Sequence, residues 1–397
     1  MQSAELREAT KFFSSRFHRN AESLNEESNY ISSPLGAWIL LAQVAGGNSA
    51  ALSRELTERI ENALGLTIPA AYNYANSLIK NAPAAIKAAS AAWFSAVLPV
   101  DDIGAEWIVN TEQEEVTTVG RSIPSQKELD AWANENTLGI IESFPFTPDT
   151  NTVLLIANAI ATKIQWDEPF SELKTEDGSP WKSESLLYSR SGAHDKQLFT
   201  DNEGNLFAVI TAQGSNLSVH AVIADNPELA PRKVIAVAEA FAGGETFTLA
   251  LPDTLPASGN VFTVKEAKGF DGDEFSALLP AWEAASSHKL GEMNLPYSEA
   301  SKAISDNPNY EAEVVQVAKA KFNKIGFEAA AVSTLMMGAS AMPNRHPIKR
   351  VTINFNHPFA VVAVHSPFFQ EANDKDELWD DLPVFTAWVN EAAEVTE

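Results

Sequence analysis

The sequence of 397 residues contains no cysteine. This absence excludes disulfide bonds, thiol catalysis and thiolate metal ligands together. Seven histidines are present, and none of them falls into an HExxH pair or another close metal-ligand spacing; they are His18, His194, His220, His288, His346, His357 and His365. We therefore predict no metal site, and the fold has to be held together by packing alone.

Basic residues are also scarce. The chain has 28 Lys and Arg against 53 Asp and Glu, which gives a formal net charge of -25. A negative field of this size repels phosphate backbones and anionic lipid headgroups over about a Debye length, ~8 Å at physiological salt. We therefore expect neither nucleic acid nor a membrane as a partner.

Long apolar segments are missing as well. No run of about eighteen apolar residues, the length that a membrane-spanning helix needs, occurs anywhere in the sequence. The first thirty residues mix polar and apolar side chains and show no secretory signal. We expect a cytoplasmic protein, or a secreted one if a leader has been removed before this numbering begins.

The common catalytic motifs are absent too. The sequence has no GxGxxG, no GxxxxGK[ST] and no GxSxG, so it gives no local support for nucleotide binding and predicts no cofactor. Ser171 and Lys174 fit the SxxK pattern of some hydrolases, but the SDN and KTG motifs that accompany it are not present. A hydrolase that uses Ser171 and Lys174 is therefore the least favoured of the functions considered.

Hydrophobic periodicity predicts helices and strands in alternation along most of the chain. Helical spacing covers residues 4–17, 34–47, 50–86, 125–137 and 232–241, and β patterns cover residues 88–100, 152–163, 205–224, 314–322 and 351–365. Gly214-Ser215 interrupts the 205–224 run as a hairpin turn would. Residues 243–310 have weak periodicity. No repeat or linker is visible, which favours one large α+β domain over residues 1–397.

Residues 326–350 form a long segment of small residues without a clear period. A structureless loop of more than about 15 residues is usually functional or disordered. Its beginning directly follows a predicted strand and contains small, uncharged and β-branched side chains that would enter a β-sheet easily; it consists of Gly326, Phe327, Glu328, Ala329, Ala330, Ala331, Val332, Ser333 and Thr334.

This segment resembles the hinge of the serpins, whose pattern is close to E-x-G-x-E-A-A-A-x-T and precedes an exposed reactive-centre loop. Further segments resemble that family in the same order along the chain: Asn29 to Leu35, Trp132 to Ile141, Leu155 to Lys163 with Trp166 and Phe170, Asn356 to Phe359, and Phe385 to Asn390. Together with the hinge they make six matches, which cover most of the chain.

The resemblance implies the serpin fold. That fold has a large central sheet A, two further sheets B and C, about eight to nine helices and an exposed reactive-centre loop, here within residues 326–350. It also implies that Ser33, Asn158 and Gln316 lie at the shutter of sheet A and that Trp166 lies at the breach, where the loop enters. Taken singly, each of these residues is equally consistent with an ordinary cap, buried hydrogen bond or core aromatic.

The activity implied is suicide inhibition of a serine protease by a monomeric chain. The protease attacks the loop and forms an acyl-enzyme, and the cleaved loop inserts into sheet A as a new strand, which traps the covalent complex. Strand alternation sets Phe327, Ala329, Ala331 and Ser333 on one face of the inserted strand. The resemblance implies that this face turns inward.

The family's spacing places the recognised residue fourteen after the hinge glycine, at Ser340, with cleavage before Ala341. The flanking residues Met336, Met337, Gly338, Ala339 and Met342 are small or unbranched and predict an elastase-like or subtilisin-like target. Arg345, Lys349 and Arg350 would attract a trypsin-like protease, but they lie farther along the loop.

Three departures from the family pattern favour an alternative, a non-inhibitory serpin that acts as a carrier or interaction protein. Phe327 is bulky where the family has a small residue, so overpacking is expected to slow insertion. Lys324 and Ile325 replace an acidic pair before Gly326. Gln316 stands where a shutter histidine is common, which argues against a histidine-dependent shutter.

Overall fold

The structure is a computed structural model. It describes residues 2–25, 27–47, 52–95, 117–144, 146–149, 152–175, 180–269, 272–302, 312–327, 346–366 and 377–395. The predicted loop residues 328–345, which include the expected bond between Ser340 and Ala341, lie outside these ranges. Nothing in the described part of the chain forms a helix long and apolar enough to cross a membrane.

Seven α-helices lie in the described residues, whereas the resemblance implies eight or nine for the whole chain. They are α1 (Gln2–Asn20), α2 (Pro34–Gly47), α3 (Arg54–Leu64), α4 (Ile68–Lys80), α5 (Gln126–Asn136), α6 (Pro231–Ala242) and α7 (Tyr297–Lys302). The helices predicted at residues 4–17, 34–47, 125–137 and 232–241 are confirmed. α2 is buried from Pro34 to Ala45, because its nearly continuous apolar sequence packs against other elements on every side.

The strands form three sheets. One seven-stranded sheet has the order β1 (Tyr30–Ser32), β19 (Pro383–Val389), β18 (Phe359–His365), β10 (Leu217–Ala224), β9 (Leu206–Gly214), β8 (Asp195–Thr200) and β11 (Thr248–Leu249). A five-stranded sheet has the order β12 (Phe262–Gly269), β17 (His346–Asn354), β13 (Glu274–Leu279), β7 (Ser185–Ser189) and β6 (Ser171–Lys174).

The third sheet, called the central sheet below, has the order β3 (Thr117–Gly120), β2 (Ile86–Phe94), β4 (Leu154–Thr162), β15 (Ala312–Phe322), β16 (Gly326–Phe327) and β5 (Ile164–Gln165), and β14 (Trp282–Lys289) pairs with β15. All of β4 is buried. Leu155 packs with α5 on one face, and Ile156 packs with the large core around α2 on the other. The continuous apolar run therefore forms a strand covered on both faces, as predicted.

The hairpin predicted within residues 205–224 is present as β9 and β10. Leu217 pairs with Gly214, and the two residues between them, Ser215 and Asn216, have φ angles of 50° and 63°. Positive φ at both central positions is typical of a type I′ turn, whose twist matches that of the flanking strands.

Two expectations need correction. Residues 243–310, which carry weak periodicity, contain strands β11 to β14 and helix α7; β12 and β14 bury few large apolar side chains, so their sequences lack a clear alternating pattern. Residues 326–350 are not a loop throughout. Gly326–Phe327 and the residues from His346 onward belong to β16 and β17, where both segments pair with neighbouring strands.

Gly214 fixes how closely the hairpin lies over the central sheet. A Cβ atom at this position would lie 1.9 Å from the carbonyl oxygen of Gln165, and the amide of Asp167 donates to the carbonyl of Gln213 at 2.8 Å. Since the obstacle is backbone rather than a flexible side chain, Gly214→Ala should lower the free energy of unfolding by about 1–3 kcal/mol.

Urea unfolding followed by circular dichroism measures this difference. Ser215→Gly is the matched control, because glycine accepts the positive φ of the next position without strain, and it should cause no loss of stability. Equal stability of Gly214→Ala and the wild type would contradict the close approach of the two backbones.

Candidate functional site

The central sheet has a junction at which two neighbouring strands pair only in part. β4 and β15 are parallel, and their ladder joins residues 154–158 to residues 312–316. Beyond it, residues 159–162 of β4 and 317–322 of β15 do not pair with each other. On their outer sides both strands continue to pair, β4 with β2 and β15 with β14, up to their ends. The sheet is thus closed at one end of this junction and divided at the other.

β16 lies between the two strands at the divided end. Phe327 pairs in antiparallel fashion with Phe322 of β15 on one side and with Ile164 of β5 on the other. β5 directly follows β4 in the chain. The first residues of the predicted hinge, Gly326 and Phe327, are therefore already a strand inside the sheet.

The turn that leads into β16 is fixed by hydrogen bonds. The side-chain Oδ1 of Asn323 accepts from the backbone amides of Ile325 and Gly326, and the backbone amide of Asn323 donates to the carbonyl of Gly326. Trp166 donates its indole N–H to the carbonyl of Asn323 at 2.9 Å and its amide to the carbonyl of Ile325 at 3.0 Å. Trp166 thus orients the turn that leads into Gly326 and Phe327, and its role at the breach stays a prediction.

Phe327 packs in a buried aromatic cluster. Its ring centroid lies 6.4 Å from that of Trp166 and 6.1 Å from that of Trp282, and Trp166 lies 4.9 Å from Phe322. The Phe327 side chain is 2% exposed. The surrounding aromatic side chains therefore accommodate Phe327, and the structure shows no overpacking around its ring.

A second group of residues, called the amide lock below, lies at the last pair of the parallel ladder. Gln316 of β15 is 1% exposed. Its Oε1 accepts from the amide of Ser33 at 3.1 Å, and its Nε2 donates to the carbonyl of Ser33 at 2.7 Å. The Ser33 hydroxyl in turn donates to the carbonyl of Val384 in β19 at 2.7 Å. The lock, Gln316 with Ser33, therefore ties β15 to the start of α2 and to β19.

Asn158 is the partner of Gln316 across the junction. Its Nδ2 donates to the carbonyl of Ala89 at 3.2 Å and to the hydroxyl of Ser90 at 3.3 Å, so that it is held by β2. Its Oδ1 is buried without a hydrogen-bond partner. A Cβ atom at Gly36 would lie 2.6 Å from this oxygen, so only glycine fits there.

The three predicted shutter residues Ser33, Asn158 and Gln316 thus meet at the last pair of the parallel ladder, where the two strands begin to part, and Trp166 lies at the divided end. Sequence reasoning did not identify two further residues, Asn323 in the turn and His288 on β14. His288 pairs opposite Gln316, and its Nε2 lies 2.8 Å from the carbonyl oxygen of Ile31. Burial lowers the pKa of His288, which favours its neutral form.

The amide lock predicts a pH-dependent defect for Gln316→Glu. A protonated carboxyl group can both accept from the Ser33 amide and donate to its carbonyl, but an ionised one cannot donate and is buried without a counter-charge. The introduced carboxyl should have a pKa above the unfolded value of about 4.3. The protonated carboxyl group therefore stabilises the folded protein at acid pH, and this stabilisation is lost as the pH rises.

Relative to the wild type, the variant should lose about 1–3 kcal/mol of unfolding free energy at pH 7 and much less at pH 4. Urea midpoints at both pH values measure the difference. Gln197→Glu on β8, which adds the same charge at a half-exposed position, is the control and should show a small change only. A Gln316→Glu defect that does not depend on pH would argue against the lock.

Comparisons with known proteins agree on the family and the fold. A family model described as Serpin (serine protease inhibitor) matches residues 8–186. A search of curated proteins found no match. Solved structures match over nearly the whole chain at low sequence identity, with 329 chains found.

Three of these structures illustrate the range. Human thyroxine-binding globulin with its ligand superimposes with a TM-score of 0.67 and 14% identity, covering 99% of this chain and 100% of that one. Native protease nexin-1 with heparin has a TM-score of 0.64 and 12% identity, covering 98% of this chain and 100% of that one. The thermophilic serpin Tengpin in its native state has a TM-score of 0.61 and 18% identity, covering 96% of this chain and 93% of that one. The family match over residues 8–186 shows that this part of the chain resembles the serpins, and the structural matches show that the whole chain has the serpin fold.

Proposed function

We propose that this protein inhibits a serine protease as a suicide substrate, by inserting its cleaved reactive loop into the central sheet. Most serpins inhibit proteases, and serine proteases are their usual partners. The observation that carries the proposal for this chain is the divided junction. β4 and β15 are parallel and part from each other on the side where the hinge enters, so an antiparallel strand that continues β16 can pair with both of them.

The register of β16 predicts how far the loop can enter before existing bonds must break. Phe327 lies opposite Phe322 and Ile164, so each following residue steps back by one position on both neighbours. Residues 328–332 would face positions 321–317 of β15 on one side and residue 163 with positions 162–159 of β4 on the other, and none of these positions pair with each other. Ser333 would be the first residue to reach Gln316 and Asn158.

The amide lock therefore stands at the boundary between easy and difficult insertion. To go beyond Val332, the loop has to separate the parallel ladder at residues 154–158 and 312–316. The inserted strand replaces that single ladder by two, and each added hydrogen bond contributes about 0.5–1.5 kcal/mol net. Over ten or more residues this gain is sufficient to drag a tethered protease.

The side chains of the hinge fit this path. Ala329 and Ala331 would occupy the same face of the strand as Phe327, which points into the core, and their small size suits a sheet that parts quickly. Phe327 occupies its strand position before any cleavage. We infer that it anchors the loop in both states and does not slow insertion.

For the scissile bond we propose Ser340–Ala341, and for the target an elastase-like or subtilisin-like protease. The flanking sequence from Met336 to Met342 contains only small or unbranched side chains, which suit a shallow specificity pocket. Lys349 and Arg350 lie within β17, where they form ion pairs with Glu266 and Glu274. Because both residues are paired with a neighbouring strand, a trypsin-like protease would not find an unpaired substrate segment there.

A non-inhibitory carrier or interaction protein is the second candidate. It is favoured by Lys324 and Ile325, which replace the acidic pair common in the family before Gly326, and by structural similarity to thyroxine-binding globulin, which binds thyroxine. The two candidates differ in whether cleavage of the loop increases stability, because only an insertable loop adds a strand.

Incubation with pancreatic elastase, subtilisin and trypsin separately tests the proposal. We expect a complex with elastase or subtilisin that survives denaturing gel electrophoresis, release of a peptide that begins at Ala341, and a higher melting temperature of the cleaved protein. The peptide's intact mass identifies the bond.

A trypsin complex with cleavage after Arg345 would retain the mechanism and refute the proposed specificity. Cleavage without a complex and without a gain in melting temperature would refute inhibition and favour the carrier.

A disulfide across the junction tests whether the strands must part. Ala157 and Val315 are directly paired in the parallel ladder, a spacing that a disulfide bond can bridge, and the chain has no other cysteine. The double variant Ala157→Cys/Val315→Cys should be an inhibitor when reduced. When oxidised it should be cleaved as an ordinary substrate, with at least a tenfold smaller yield of complex.

The control pair is Ala89→Cys/Ala159→Cys, which joins β2 to β4, two strands that need not separate. It should inhibit equally well in both redox states. Full inhibition by the oxidised 157–315 variant would show that the loop does not enter between β4 and β15.

A further inference from the structure

A groove of about 490 Å³ lies at the end of β14 that is farther from Trp282 and the hinge. One wall consists of residues 20–23, where α1 ends and the chain turns, and the other of residues 287–289 of β14 with residues 292–293 beyond it. The volume falls in the range of about 300–1,000 Å³ that is usual for small-molecule sites. The groove can therefore hold a small ligand, and its polar lining determines which chemistry it accepts.

His288 is the buried polar side chain of this groove. It is 6% exposed, and Phe17 and Tyr30 pack edge-on against it with ring centroids at 5.7 and 5.4 Å. Its Nε2 lies 2.8 Å from the carbonyl oxygen of Ile31. Because a carbonyl can only accept, Nε2 carries the hydrogen and Nδ1 of the neutral ring keeps its lone pair. Nδ1 has no hydrogen-bond partner among the described residues and retains solvent access, so a fixed acceptor is available to a ligand in the groove.

The other available polar groups of the lining are acceptors as well. Asn20 donates its Nδ2 to the carbonyl of Arg16 at 2.9 Å, which leaves its Oδ1 for a ligand. The exposed carboxylate of Glu22 forms no ion pair or hydrogen bond with any residue in the described part of the chain. Lys289 is the basic side chain of the lining, and its Nζ already donates to Glu292 at 3.1 Å. The groove therefore favours a ligand that is positively charged and rich in donors.

We propose that this groove binds a small guanidinium cation with a short alkyl body. A guanidinium group is planar and carries N–H donors on several sides, so it can donate to Nδ1 of His288 on one wall and to Glu22 and Asn20 on the other. The alkyl body would lie against Ala21 and Met293, the apolar members of the lining. The site is separate from the reactive loop and does not depend on the proposed inhibition.

Three probes with the same alkyl chain test this preference: butylguanidine, butylamine and butylurea. The first carries the planar cation, the second a compact cation and the third a planar neutral group. Saturation-transfer NMR and calorimetric titration of the full chain should give butylguanidine a Kd at least tenfold lower than that of either other probe. Butylguanidine that does not bind overturns the proposal, and so does equal affinity of butylurea or of butylamine.

Paired variants at exposed positions locate the site. Ser287→Trp fills the groove and should abolish binding of butylguanidine, while Ala285→Trp, two residues earlier on the same face of β14 and outside the lining, should leave it unchanged. Glu22→Gln should raise the Kd of butylguanidine at least threefold. Glu55→Gln removes the same charge at an exposed position of α3 and should have no effect.

His288→Gln tests the buried acceptor. The glutamine amide can still donate to the carbonyl of Ile31, but nothing replaces Nδ1, so the Kd of butylguanidine should rise about tenfold while that of butylurea changes little. Unchanged binding of butylguanidine by a folded His288→Gln protein contradicts the proposal. If this variant does not fold, Ser287→Trp and Glu22→Gln still decide, since binding that survives unchanged in both of them places the ligand elsewhere.

Discussion

The short parallel ladder between β4 and β15 is the constraint on which the rest of this structure depends. Five residue pairs join the two strands, whereas each strand is paired along most of its length with its outer neighbour. The central sheet can therefore separate into two halves at this line without losing any other ladder. On one face of the sheet a single large core around α2 lies under both halves, since it contains Ile156 of β4 and Val314 of β15. On the other face α5 covers β2 and β4.

The groups that hold this line closed are neutral. Gln316 fixes the Ser33 backbone with one donor and one acceptor, and Asn158 uses its amide to bind β2. The histidine of this region, His288, lies one strand away, and burial lowers its pKa. No group of the lock gains or loses a proton between mildly acid and neutral pH, so its hydrogen bonds stay the same over this range. A lock built on a histidine would change there.

Sequence patterns predicted those parts of the fold in which one kind of interaction dominates. The apolar runs of α2 and β4 and the hairpin turn at Ser215 were readable because burial or backbone twist leaves a clear local pattern. β12 and β14 were not, since they alternate small, polar and charged residues at partly exposed positions. Ser33, Asn158 and Gln316 were singled out by resemblance to a family, but no local pattern indicated that Asn323 caps the turn before Gly326.

The surroundings of Phe327 are tertiary, and neither the family pattern nor the local sequence predicts them. The size of Phe327 suggests steric interference when only the family pattern is considered. In the structure its ring packs with Trp166 and Trp282, which come from distant segments, and it pairs with Phe322 of the neighbouring strand. An aromatic side chain in such a cluster stabilises the strand that carries it. The same substitution that departs from the family pattern therefore holds the beginning of the hinge in the sheet.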